Sequence, residues 1–217
     1  MKLAFCSEDR TDIVILHALV ERCVGEPVET ANLPAALPSR QGGWSKALAL
    51  APKVVRNVFN SDAHGAVLVI DCDETLPHDK GHVGQPARGC RHCELARAAD
   101  VATVLAWERP MLPPLQCVIG VPVRMLETWL LVATGTFPRN ESSLVYGRNS
   151  AERRALKFAL WREERPTREL MIERGKTIVQ NADIPRLTTE SPSFAWFRDE
   201  LIRAHRAVLG WTPPPPA

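Results

Sequence analysis

Two kinds of apolar pattern alternate along the first two thirds of the chain. The runs "AVLVIDCD" (66–73) and "PLQCVIGVPVR" (114–124) are continuously apolar, as expected of strands buried on both faces of a sheet, and the first reads as a central strand. A shorter strand is predicted over "KLAFCS" (2–7). Between the strands, Ile13, Leu16, Val20 and Cys23 have helical spacing, with Thr11 or Asp12 as cap and Gly25 as stop. Prolines at 34 and 38 and glycines at 42 and 43 mark a loop with room for a short edge strand. Helices are predicted over "WSKALALAPKVVRNVF" (44–59, despite Pro52), "CELARAADVATVLA" (93–106) and "RMLETWLLVATG" (124–135). Past residue 148 the strands stop. Three helical segments follow, "SAERRALKFALWREE", "TRELMIERGKTIVQNA" and "SFAWFRDELIRAHRAVLG", and then a proline tail. The expected fold class is α/β, a sheet flanked by helices over 1–147, with a helical C-terminal extension over 148–210 and a Pro-rich tail over 211–217.

Composition narrows the function classes. An apolar fraction of 45% with 24% charged residues is that of a soluble globular protein, and no apolar run approaches the roughly 20 residues of a membrane span. The N-terminal apolar stretch is too short for a signal-peptide core, so a cytoplasmic location is expected. Net charge is +2, but residues 148–206 carry 13 Lys and Arg against 9 Asp and Glu, a basic bias that permits a nucleic-acid partner without requiring one. The six cysteines sit mostly in apolar segments and read as small buried hydrophobes, with Cys90 and Cys93 set apart by their spacing.

The chemistry concentrates at Asp71 and Asp73, at the carboxyl end of the central strand, where open α/β sheets place ligands. Taken alone, "DCDETL" matches the first motif of haloacid-dehalogenase phosphatases, with Asp71 as nucleophile and Asp73 as acid. That family's later lysine and acidic pair find no strand after residue 121 to carry them. A second reading adds Glu8, which ends the first strand: three carboxylates from two strand ends can share a hard divalent cation, the chemistry of phosphoryl transfer. This arrangement resembles the TOPRIM domain of topoisomerases, primases and overcoming-lysogenization-defect nucleases. "SEDRTD" is similar to the E-G-x-T-E signature of a family of small bacterial TOPRIM-like proteins of unknown function, and "PVRMLETWLLVA" to its I-E-A-W-L-L block. Asp9 stands in place of the usual glycine and Asp12 in place of the second Glu.

The resemblance implies a Rossmann-like TOPRIM sheet and a Mg²⁺- or Mn²⁺-dependent nuclease acting on DNA or RNA, in phage defence or DNA maintenance. It also implies a partner protein such as an ATPase. Glu8, Asp71 and Asp73 are its catalytic residues and metal ligands, with Glu127 a further ligand or outer carboxylate; Asp12 and Glu74 are weaker candidates. Arg10, Arg124 or the basic tail would neutralise phosphate. The competing class is a non-catalytic TOPRIM-like module that binds nucleic acid or protein. Immediately downstream, His78, His82, Cys90 and Cys93 form H-x3-H-x7-C-x2-C, with His92 to spare, a spacing that suits a structural zinc ion in a loop too polar to pack by itself. The same C-x2-C can serve as a redox pair.

Overall fold

The buried runs pair side by side in the computed structural model, which describes residues 1–32, 43–73, 75, 77–82, 87–103, 109, 111–135, 141 and 150–212. β1 (Lys2–Cys6), β2 (Glu29–Thr30), β3 (Gly65–Val69) and β4 (Gln116–Gly120) form one parallel sheet in the order β2-β1-β3-β4. Every residue of β3 is buried, which explains its unbroken apolarity: helices cover both of its faces. β2 is the short edge strand expected after the first helix.

α1 (Arg10–Val24) joins β1 to β2, while α2 (Gly43–Phe59) and α3 (Arg91–Thr103) carry the chain back to β3 and on to β4. Because the path first moves one way from β1 and then reverses across it, right-handed crossovers put α1 on one face and α2 and α3 on the other. The core follows that division. Phe5, Val67 and Val69 pack with Ile15 and Leu19 of α1 on one side, while Ala4, Leu68 and Ile70 pack with Val54 and Val58 of α2 and Leu95 of α3 on the other. The fold is thus α/β, a Rossmann-like parallel sheet flanked by helices.

The C-terminal helices belong to the α1 face. α4 (Leu126–Ala133), α5 (Ser150–Trp161), α6 (Arg168–Gln180), α7 (Ile184–Glu190) and α8 (Pro192–Leu209) place Trp129, Trp161, Val179, Leu187, Phe194 and Phe197 in the same cluster as Phe5 and Ile15. A Cβ on Gly120 would lie 3.0 Å from Phe197, Trp129 and Val69, so the bare glycine is what lets α4 and α8 close over β4. Glu200 of α8 accepts the Ile119 N–H at 3.0 Å.

Among the described residues after 148, four helices, α5 to α8, replace the three expected. The extra one, α7, is a single short element with Asp183 as N-cap and Pro185 in its first turn; seven residues are too few to show a period in sequence. α1 also begins earlier than expected: Asp9 is its N-cap, in a reciprocal capping box with Asp12, and Gly25 ends the helix at φ 79°. The boundary expected at 147/148, Glu74, the end of the predicted 93–106 helix and most of the proline tail lie outside the described residues. Among the described residues no helix is long and apolar enough to cross a membrane.

Candidate functional site

Strand order reverses between β1 and β3, and the carboxyl ends of those strands form the crevice where doubly wound sheets bind ligands. Glu8 follows β1 and Asp71 follows β3 on either side of it. The ladder between β3 and β4 continues past the strands, with Ile70 N donating to Gly120 O at 3.2 Å, Cys72 N to Pro122 O at 3.0 Å and Asp73 N to Arg124 O at 3.1 Å. Asp71 N, the intervening donor, is taken instead by the Glu8 side chain, Oε1 accepting at 3.0 Å. Asp71 in turn reaches across β4, its Oδ1 accepting the N–H of Leu126 in the first turn of α4 at 3.0 Å. Asp73 then adopts a left-handed backbone (φ 51°), which Asp tolerates better than most residues and which breaks the strand's alternation as the chain leaves the sheet.

Five carboxylates share this neighbourhood. Asp71 is held well above the usual carboxylate range, first by removal from water and then by the charges of Glu8, Asp12, Glu127 and Asp73. Asp12 is raised for the same reason, burial leading and Asp9, Glu127 and Glu8 following. The other partners of these acids differ. Glu127, in the first turn of α4, is tied to α5 through Lys157 Nζ at 3.3 Å and Trp161 Nε1 at 3.5 Å. Asp12 Oδ2 accepts the Asp9 N–H and the Ser7 hydroxyl. Gly43, at the start of α2 with φ 62°, comes close enough that a Cβ there would lie 4.0 Å from Glu8 Oε2. Arg10 is exposed at the start of α1, whereas Arg124 is buried in the β4–α4 turn at φ 67°; a side chain only 3% exposed is not a plain surface arginine.

The raised Asp12 has a measurable consequence. Folded, it holds its proton more tightly than in the unfolded chain, so its contribution to stability is present below an unfolded pKa near 4 and is lost as pH rises through the folded value. Asp12→Asn removes that loss and keeps an oxygen for the Asp9 N–H. In denaturant titrations without added divalent cation, the variant's stability relative to wild type is expected to climb as pH rises from about 4 upward. A constant difference across that range would mean Asp12 ionises normally.

The second cluster begins seven residues after Asp71. Ligand atoms of His78, His82, Cys90 and Cys93 all lie within 4.8 Å of one another. Among the described residues this is the group of His, Cys, Asp or Glu side chains spaced to hold a metal ion together; the acidic crevice is a shared field rather than a closed ligand set. Burial and the neighbouring His92 and His82 press His78 down to about 4, and burial pushes the Cys90 thiol up to about 11. His78 and Cys90 are therefore neutral by themselves. His92 is outside the quartet: it stacks on His78 with ring centroids 3.9 Å apart.

Two carboxylates that hold these parts in place were not singled out in the sequence. Glu141, 1% exposed, accepts from Val123 N at 3.2 Å and Ser193 N at 2.8 Å and also takes the Ser193 hydroxyl. Glu200 joins Ile119 N, Trp196 Nε1 at 3.2 Å and His92 Nε2 at 3.8 Å. Glu200 had a readable cue, its i,i+4 spacing from Trp196; Glu141 stands in "RNESSL" without any pattern around it.

No protein-family model matches the chain, and neither does any curated protein or solved structure. Its function rests on its own residues.

Proposed function

We propose that the protein is a divalent-metal-dependent phosphoryl-transfer enzyme of TOPRIM type, a nuclease acting on DNA or RNA in the cytoplasm, in phage defence or DNA maintenance. The observation that carries this is the Glu8 carboxylate bonded to the Asp71 N–H across the switch point, with Asp12, Asp73 and Glu127 in the same field. Such a surplus of negative charge, set where ligands bind and pushing the carboxyls of Asp71 and Asp12 above the usual carboxylate range, suits a hard, oxygen-seeking cation. Glu8, Asp71 and Asp73 would hold Mg²⁺ or Mn²⁺, and Glu127 would act as ligand or outer carboxylate. The bound ion would supply Lewis-acid polarisation of a phosphodiester and an activated water.

The chain's own residues do the positioning. Glu8 is fixed by the Asp71 amide and Asp71 by the Leu126 amide, so two strand ends and α4 are tied together. Lys157 partly offsets Glu127 and ties the acidic crevice to the basic C-terminal half, which would receive the nucleic-acid backbone. The Glu8 contact favours this reading over a phosphatase with Asp71 as nucleophile. There Asp71 would act as the lone nucleophile, with no part for the Glu8 carboxylate that bonds its amide from the neighbouring strand end.

The test is incubation with supercoiled, linear and single-stranded DNA and with RNA, in Mg²⁺ or Mn²⁺ and in their absence. Cation-dependent cleavage that disappears in both Glu8→Ala and Asp71→Ala is expected. Equal behaviour of wild type and variants would leave a non-catalytic binding module.

A further inference from the structure

We propose that His78, His82, Cys90 and Cys93 bind one zinc ion, and that this centre fixes the loop between β3 and α3 against α8. The proposal does not depend on the phosphoryl-transfer reading.

Geometry is the first support. A tetrahedral zinc with bonds of about 2.3 Å to sulfur and 2.0 Å to nitrogen sets its nitrogen and sulfur ligands about 3.5 Å apart. His78 Nδ1 lies 3.5 Å from Cys90 Sγ and 3.7 Å from Cys93 Sγ. The two sulfurs form no disulfide. His82 Nδ1 is buried without a hydrogen-bond partner, an uncompensated polar atom that a metal would satisfy, while its Nε2 lies 3.9 Å from Asp79 Oδ2. A ligating histidine whose second nitrogen faces a carboxylate is the usual outer-shell arrangement. Thiolate and imidazole select zinc over the hard cations suited to the acidic crevice, so the two sites take different metals.

The surroundings explain what the ion would do. "PHDKGHVGQPARG" has too few apolar residues to order itself by burial, yet it leads directly from the Asp71–Asp73 turn to α3. The quartet joins the loop to the first turn of α3, where Arg91 lies over the Trp44 ring at 3.2 Å from its centroid, next to Gly43 and hence Glu8. Outside the ligands, His92 stacks on His78, and Trp196 of α8 meets both rings edge-on at 5.0 and 6.0 Å. One ion would therefore tie the β3 exit, α3 and α8 together at the rim of the crevice.

Elemental analysis of untagged protein should find about one zinc per chain, and less than about a tenth of an equivalent after purification with zinc present would overturn the proposal. Titrating wild type with a thiol-reactive mercurial, with a colorimetric zinc indicator in solution, should release the ion as two thiols are modified. Release that needs no thiol modification would place the metal elsewhere. Cobalt exchange should give the visible bands of a tetrahedral thiolate site, and octahedral spectra would count against it. Cys93→Ser should lose the metal and melt at lower temperature, whereas Cys117→Ser should retain it. A wild-type Cys90–Cys93 pair that cycles between dithiol and disulfide with the fold unchanged and no metal bound would make it a redox pair instead.

Discussion

Asp71→Asn is expected to abolish cation-dependent cleavage, by about 10³-fold or more, while making the metal-free protein more stable. The two effects have one cause. Asn keeps an oxygen to accept the Leu126 amide, so α4 stays anchored, but it removes a charge that Glu8, Asp12, Glu127 and Asp73 all oppose. A gain of about 1 kcal/mol is the usual size for relieving a strained functional site, or about 2–4 °C in melting temperature for a chain of this length. Saturating Mg²⁺, at about 100 times its dissociation constant, should stabilise wild type by about 2.7 kcal/mol and leave Asp71→Asn almost unmoved. Thermal melts of both proteins with and without Mg²⁺ check this directly. A variant less stable than wild type in the absence of cation would show that the five acids are not in mutual opposition.

Glu141→Ala should produce the largest loss of stability among single substitutions outside the apolar core. Its carboxylate serves the Val123 amide, the Ser193 amide and the Ser193 hydroxyl, and Ser193 Oγ also accepts the Trp129 indole N–H at 2.8 Å. Truncation leaves the buried Val123 amide and the half-buried Ser193 donors with nothing to receive them and removes a negative charge from the N-terminus of α8, together worth about 3 kcal/mol. The melting temperature would drop by about 6–12 °C. Activity should fall as well, at temperatures where the variant is still folded, because Val123 leads into the turn that supplies Arg124 O to Asp73 and Leu126 N to Asp71. Gln is a partial substitute at best: its amide nitrogen would face a donor. Denaturant titration of both variants separates the outcomes, and a change under about 0.5 kcal/mol for Ala would show that Glu141 carries no such load.

The sheet and the placement of Asp71 were legible because buried parallel strands leave an unmistakable trace: "AVLVI" has no solvent face to write a polar residue onto. Glu8 was legible by its position after the first strand, and the Cys/His quartet by its spacing. Other features left no local mark. Asp9 as a cap shares the stretch "SEDRTD" with five other polar or charged residues, and only the folded backbone chooses among them. Glu141 and Glu200 act on amides 18 and 81 positions away, a relation that no periodicity encodes. Arg124 reads like any surface arginine, yet the β4–α4 turn buries it.

The position of Glu200 also bears on how the chain behaves among copies of itself. A parallel sheet normally exposes a row of amides at each border, an invitation for a neighbour's strand to dock. Here, among the described residues, one border is the two-residue strand Glu29–Thr30, with Lys2 beside it in an ion pair to Glu29, and the other has α8 packed on it with a carboxylate already holding the Ile119 amide. Adding a strand at β4 would first require peeling away the helix that carries Phe194, Phe197 and Trp196. The same helix that completes the core therefore guards the sheet against edge-to-edge aggregation.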